Sequence, residues 1–366
     1  MKSFLKLDWI LLSAIFLLLA ISLLLLYSLS FGDYDLGFSN FKKQAVSIGI
    51  GLFFLFFFTF LDYRIFNFFS TKLYFVMIFF LGAVIFFGKT IRGTTGWIGI
   101  SSYHIQPVEI AKLIIIIFLA SFFSQKKSRL SHLSKIISSI VLLFFPIFLI
   151  LKQPDFGSAA IVVFCWVIIL SLSGIGRKIL MSILLAGSLT ILPSWFLLKP
   201  YQKERIINFV QPENDPMGSG YNVIQSMVAV GSGKIFGKGL GHGSQSQLNF
   251  LPEKHTDFIF AVLAEELGFL GVFFVLTIFG VIFWRIKEIG KLSRDNLGFL
   301  IIVGIMAMFF SQFFINIGMN IGVMPVVGIT LPFLSYGGSS MVANLVAIGI
   351  VQSVYLRRIQ NQEKDE

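Results

Sequence analysis

Apolar runs close to the length of a bilayer crossing, about 17–25 residues, alternate with short polar turns along nearly the whole chain. The alternation predicts an all-α polytopic membrane protein with about ten transmembrane helices. They are expected at about 9–29, 45–61, 73–87, 107–123, 136–151, 157–173, 179–198, 258–284, 297–320 and 338–356. A single long loop, 199–257, separates the seventh from the eighth. The first run follows Lys2 and Lys6 as a signal peptide would, but it is long and lacks an Ala-x-Ala type cleavage site, so it reads as a retained span. No repeat or heptad linker interrupts the pattern, so residues 1–366 read as one integral membrane domain.

Charge orients these spans. With the N-terminus in the cytoplasm, most of the 29 lysines and arginines fall on that side, and the short outer loops hold only Lys42, Lys43, Lys89, Arg92 and Lys152. Both termini are then cytoplasmic, and loop 199–257 faces outward. The net charge of +11 reports this topology and contact with anionic lipid, so it is no argument for nucleic acid. The lone Cys165 sits in an apolar run and excludes a disulfide framework or a cysteine metal cluster. The 44 phenylalanines read as lipid-facing filler.

One stretch concentrates polar chemistry where a loop enters a long apolar helix. Between Asn249 and Gly271 lie Glu253, Lys254, His255, Asp257, Glu265 and Glu266. Thr256 suits an N-cap, which would put Asp257 in the first helical turn, where free N–H groups favour a carboxylate. Burial at the membrane boundary pulls the other way, and a base held between these pulls can take a proton at neutral pH. Glu265 follows eight residues on, about 12 Å along the axis and within about 80° around it, so the two acids are expected on one stripe. The plain alternative is that Thr256 and Asp257 cap a helix while the glutamates pair with buried cations. Carboxylates at membrane depth are costly, and function is the default reading.

Three outer segments and a stretch between the last two spans add candidates. Residues 88–112 carry Trp97 and, just past Pro107, the pair Glu109 and Lys112 three residues apart on one helix face. Trp97 suits either an interfacial belt or a substrate contact. Asp155, in Lys152-Gln-Pro-Asp-Phe-Gly-Ser, suits a turn or cap as well as a substrate role. The glycine-rich run from Gly231 to Gly243 carries Lys234, Lys238 and His242; Ser232 and Gly239 break the nucleotide-loop pattern, which excludes an ATP site. Its lysines are candidates to meet a pyrophosphate at the membrane surface. Met324 to Ser340, with two prolines and several glycines, predicts non-helical backbone at membrane depth. Ser335, Tyr336, Ser339 and Ser340 either line a polar cavity there or only pack helices.

Several of these stretches together resemble a known family. Leu251-Pro-Glu-Lys-His-Thr-Asp-Phe-Ile-Phe-Ala-Val-Leu-Ala-Glu-Glu-Leu-Gly, Gln153-Pro-Asp-Phe-Gly-Ser-Ala, Gln106-Pro-Val-Glu-Ile-Ala-Lys and Pro332-Phe-Leu-Ser-Tyr-Gly-Gly-Ser-Ser are similar, in order, to the signature stretches of the SEDS proteins of shape, elongation, division and sporulation. The short N-terminus and Gly239-Leu-Gly-His-Gly-Ser-Gln-Ser-Gln-Leu-Asn-Phe resemble the elongation branch more than the division branch. The resemblance implies a peptidoglycan glycosyltransferase of the bacterial cytoplasmic (inner) membrane that polymerises lipid II on its outer side. It implies as partners a class B penicillin-binding protein, a transpeptidase, and other membrane proteins of the elongation complex. It assigns the essential aspartate to Asp257, the acid and lysine of the fourth span to Glu109 and Lys112, and the outer-loop tryptophan to Trp97. Two positions depart from the pattern. Gly96 stands where the family usually has Arg, and Val108 where it has Ser; Arg92 or Lys89 is the candidate to supply the missing charge.

In the mechanism expected from both lines, Asp257 removes the proton of an acceptor sugar hydroxyl as polyprenyl pyrophosphate leaves the donor. Lys112, Lys234, Lys238 or a divalent cation, Mg2+ or Mn2+ held by Glu109 or Asp257, would meet the leaving charge. His255, Glu265, Ser335 and Ser339 are supporting candidates. A lipid II flippase, the division polymerase and a noncatalytic scaffold are the competing readings. The scattered His104, His132, His242 and His255 give no zinc spacing, and no Gly-x-Ser-x-Gly elbow precedes an outer helix.

Overall fold

The computed structural model describes residues 6–31, 37–91, 93–100, 103–125, 131–176, 207–211 and 219–360, with isolated positions between 179 and 203. Nine of the ten expected spans are helices among these residues: α1 (Trp9–Ser30), α2 (Ser39–Phe60), α3 (Ile65–Phe87), α4 (Pro107–Ser124), α5 (His132–Lys152), α6 (Phe156–Leu172), α9 (Ile259–Lys291), α10 (Asn296–Asn320) and α11 (Gly338–Gln360). Eight are long and apolar enough to cross a membrane, and α6 is a shorter apolar helix. The expected seventh span, 179–198, falls outside the described residues except at isolated positions. Among the described residues of the long loop lie two further helices, α7 (Ser219–Ser232) and the single turn α8 (Ser244–Gln247).

Side chains at the turns start these helices. Asp8 accepts from the Leu11 N–H at 3.0 Å to open α1, Asp155 from Ser158 at 2.9 Å to open α6, and Asp295 from Gly298 at 2.7 Å to open α10. Pro107 takes the first position of α4, where no N–H is needed. Small residues let the helices close up. A Cβ on Gly51 of α2 would run into Leu345 of α11, and one on Gly349 would meet the Leu55 carbonyl. In the same way Gly304 of α10 sits against Ile116 of α4 and Ile169 of α6.

Helix α9 is broken where the glycine-rich run meets it. Gly268 has φ 64° and ψ −166° inside an otherwise regular 33-residue helix, a combination open essentially to glycine alone. The free backbone groups at the break are taken by the run. Lys238 and Gly239 N–H donate to the Glu265 and Glu266 carbonyls at 2.9 and 3.0 Å, while Phe269 and Leu270 N–H donate to the Lys234 and Ile235 carbonyls at 2.8 and 3.1 Å. A Cβ at Gly233 or Gly237 would fall on the α9 backbone. These glycines serve close packing.

The outer segment after α3 adds a feature that helical patterning did not predict. It forms a three-stranded antiparallel meander, β1 (Lys89–Ile91), β2 (Thr94–Ile100) and β3 (Tyr103–Ile105). Lys89 pairs with Trp97, and Ile98 with Ile105. The β-branched run Thr94-Thr-Gly-Trp-Ile-Gly-Ile carries the strand tendency, but glycines blur its alternation.

Candidate active site

Four helices start around one cavity of about 270 Å3. Glu109 and Lys112 come from the first turns of α4, Asp155 and Ser158 from α6, Asp257 and Phe258 from the entry to α9, and Gly337, Ser339 and Ser340 from the entry to α11. Thr94 and Trp97 of the meander close one side, and the stretch from Val326 to Thr330 closes another. Helix N-termini carry partial positive charge and free N–H groups, so their convergence favours an anion. Among the described lining residues Lys112 is the one lysine or arginine, set against the carboxylates Glu109, Asp155, Glu253 and Asp257.

Asp257 is held through its backbone. Its carbonyl accepts from Asn316 and Asn320 of α10 at 2.9 and 3.0 Å. The carbonyls before it are also taken: that of Thr256 accepts from the Ser335 hydroxyl at 2.6 Å, and that of His255 from the Tyr336 N–H at 2.8 Å. The expected N-cap is corrected here. Helix α9 begins at Ile259 with Phe258 at the cap and no side-chain capping bond from it, so Asp257 precedes the first turn. The Thr256 hydroxyl instead donates to Glu253, and the α9 N–H of Ala261 is satisfied from another helix by Asn320 Oδ1 at 3.1 Å. Tertiary packing supplies the cap that the local sequence was expected to supply. A Cβ on Gly328 would stand 3.6 Å from Asp257 Oδ2, which puts that carboxylate directly against the 326–330 backbone.

Lys112 Nζ donates to Glu109 Oε1 at 2.8 Å, and both side chains are buried. Asp155 faces them as well as capping α6. Its carboxylate accepts from the Ser158 N–H and hydroxyl at 2.9 and 2.8 Å. Burial pushes the Asp155 carboxyl above its ordinary range, and these two hydrogen bonds and the Lys112 charge offset the shift only in part. Trp97 donates from Nε1 to Thr94 Oγ1 at 3.2 Å, and Ser339 Oγ accepts from the Gln106 N–H at 2.9 Å.

Other expected residues lie elsewhere. Glu265 does not share the cavity with Asp257: its carboxylate takes Lys238 Nζ at 2.7 Å and the N–H groups of Gln245 and Ser246 at 2.9 and 3.0 Å. Lys238 is thereby committed to the α9 break, and Lys234 is exposed in the same run. Neither lines the cavity, and neither does buried His255 or Ser335, which acts on the Thr256 carbonyl. Asn316 and Asn320 were not singled out from the sequence, although two amides four residues apart at the end of an apolar span were a readable signal. Glu253, Asn208 and Asn222 also line the cavity from the long loop. Gly96 is buried, and a Cβ there would stand 3.1 Å from Gln153 Oε1. Lys89 lies across the strand pair from Trp97, while Arg92 is outside the described residues.

The residues present offer no ready-made cage for a metal ion. Glu109 Oε1 is already met by a lysine, and no group of three histidine, cysteine or acidic side chains among the described residues could hold an ion.

The fold and cavity define a polytopic membrane protein with an ionisable site at one membrane face, assembled from helix N-termini. Comparison with known sequences places it further. A family profile described as cell cycle protein, FTSW_RODA_SPOVE, matches residues 8–360, and the chain belongs to this family. It is 36% identical over 342 residues to the peptidoglycan glycosyltransferase MrdB of Escherichia coli K12, covering 93% of this chain and 91% of that protein. To stage V sporulation protein E of Bacillus subtilis it is 38% identical over 358 residues, covering 95% and 96%. A chain of a peptidoglycan synthase complex, solved to show how polymerization and crosslinking are coordinated, superposes with TM-score 0.80 at 29% identity, covering 97% of this chain and 99% of its own. The rod shape determining protein RodA of Thermus thermophilus superposes with TM-score 0.71 at 26% identity, covering 97% and 98%.

Proposed function

We propose that this chain is a peptidoglycan glycosyltransferase that polymerises lipid II into glycan strands outside the bacterial cytoplasmic membrane, in the service of cell elongation. Asp257 is the general base, and the observation that carries this reading is its placement. It enters a cavity that also holds the buried Glu109–Lys112 pair and is ringed by four helix N-termini. The 36% identity to a peptidoglycan glycosyltransferase over 93% of the chain supports the same reaction.

Asp257 takes the proton of an acceptor sugar hydroxyl, whose oxygen forms the new bond to the anomeric carbon of the donor. The bond from that carbon to the diphosphate breaks, and the polyprenyl diphosphate leaves with the electron pair. Lys112, held in place by Glu109, and the positive ends of α4, α6 and α11 meet the leaving charge. Ligand pockets commonly run to about 300–1,000 Å3, so a cavity of about 270 Å3 takes the reacting ends of the substrates, with their lipid tails in the bilayer. Trp97 and Ser339 are lining residues that orient the sugars. A class B penicillin-binding protein is the proposed partner that cross-links the glycan, alongside other membrane proteins of the elongation complex.

Polymerisation of lipid II by the purified chain, with a transpeptidase partner present, tests the base. Asp257→Asn should lower the rate by about 10²–10⁴-fold, the share general base catalysis commonly supplies, with expression and thermal midpoint unchanged. An active Asp257→Asn would overturn the assignment. The same assay with EDTA tests the expected Mg2+ or Mn2+: unchanged chain growth removes the ion from the reaction.

A further inference from the structure

A second cavity, about 410 Å3, opens at the other end of the bundle. Helix α4 begins at the Asp257 cavity and ends here at Ser124, while α10 begins here and ends at the Asn320 that holds Asp257. The two cavities therefore lie at opposite membrane faces, and the loop charges put this one in the cytoplasm.

Its walls are cationic and its edge is apolar. Arg64 at the start of α3 and Arg294 just before α10 both line it, and both are exposed. The one acid among the described lining residues, Asp295, is already engaged. It caps α10 through Gly298, accepts the Tyr63 hydroxyl at 2.8 Å, and meets Arg64 through Nε at 3.4 Å. Burial pushes the Tyr63 hydroxyl up to about 12, so it stays a donor throughout the physiological range. The guanidinium of Arg64 also hydrogen-bonds Tyr63, and its five N–H groups leave donors over for phosphate oxygens. Asn67 and Ser124 make the rest of the lining polar, with Ser121 donating to Asn67 Oδ1 at 2.7 Å. Phe68, 83% exposed, stands at the rim where α3 faces lipid.

We propose that this cavity binds a phosphate-bearing anion, and that the anion is the headgroup of an acidic phospholipid of the inner leaflet. Two arginines supply charge-assisted donors for the phosphate, and Phe68 supplies an apolar surface for the first carbons of an acyl chain. The position between helices at the cytoplasmic boundary is where anionic headgroups lie.

The purified full chain in detergent is titrated with dioleoyl phosphatidylglycerol, with dioleoyl phosphatidylcholine, and with inorganic phosphate, and its thermal midpoint is followed. Phosphatidylglycerol should stabilise saturably while the other two do not. Arg294→Gln should raise the half-saturating lipid concentration about tenfold, the weight of a hydrogen bond to a charged group, and Arg64→Gln should act in the same direction. Lys291→Gln, which removes an equal charge from an exposed neighbour outside the cavity, should leave the curve unchanged. Equal loss in Lys291→Gln, or none in either arginine variant, would mean diffuse attraction and overturn the site. The same stabilisation by inorganic phosphate would overturn the lipid as its source. Native mass spectrometry of the wild type needs no variant: equal retention of both phospholipids would likewise overturn the proposal.

Discussion

At the scale of single residues, the cavity holds its charges in unequal ways. Glu109 and Lys112 satisfy each other at 2.8 Å, and such a buried pair resists loss of either partner more than it stabilises the fold, because the survivor is stranded. Asp155 is different, since burial raises its folded pKa above the ordinary carboxylate value of about 3.9. A raised folded pKa contributes stability that is complete below the ordinary value and lost as pH rises through the folded one. Asparagine keeps the cap acceptor for Ser158 but carries no charge to desolvate. The thermal stability of wild type relative to Asp155→Asn in detergent should therefore fall as pH rises from about 4 through the raised value, then level off. A difference independent of pH would show that the carboxyl is not shifted.

At the scale of elements, the glycine-rich run and the break in α9 make one unit. Four backbone hydrogen bonds cross between them, and Glu265 ties the side chain of Lys238 to the same place. Gly268→Ala should cost at least about 1–3 kcal/mol, the strain of that backbone region, because a Cβ there also falls on the Ile235–Gly237 backbone. Gly280→Ala, further along the same helix with open space around it, should be neutral or stabilising by up to about 1 kcal/mol. Thermal unfolding of the two variants in detergent checks the contrast, and equal midpoints would mean that the break bears no strain.

At the scale of the molecule, the two cavities and the loop charges define an outside and an inside. In a Cys165→Ser background, Leu248→Cys, exposed beyond α8, should react with a membrane-impermeant maleimide in spheroplasts. Lys291→Cys, at the far end of α9, should react only after permeabilisation. The reverse pattern would invert the topology. The helices were legible because bilayer-length apolar runs leave few alternatives to a spanning helix, and nine of the ten expected spans are seen as helices among the described residues. Asp257, Glu109 and Lys112 were legible because charge at membrane depth is rare. The meander was not, since glycines in Thr94–Ile100 dilute its alternation, and Glu265 was misplaced because the helical projection started from Asp257, which lies before α9, and could not foresee the glycine-rich run that takes the Glu265 carboxylate. The sequence by itself determined the membrane class, the order of spans and the ionisable residues, all of which follow from local composition against a hydrocarbon solvent. Only the tertiary structure decided which acids share a cavity, because that depends on Asn316 and Asn320 reaching across from α10 and on four helix starts meeting from distant parts of the chain.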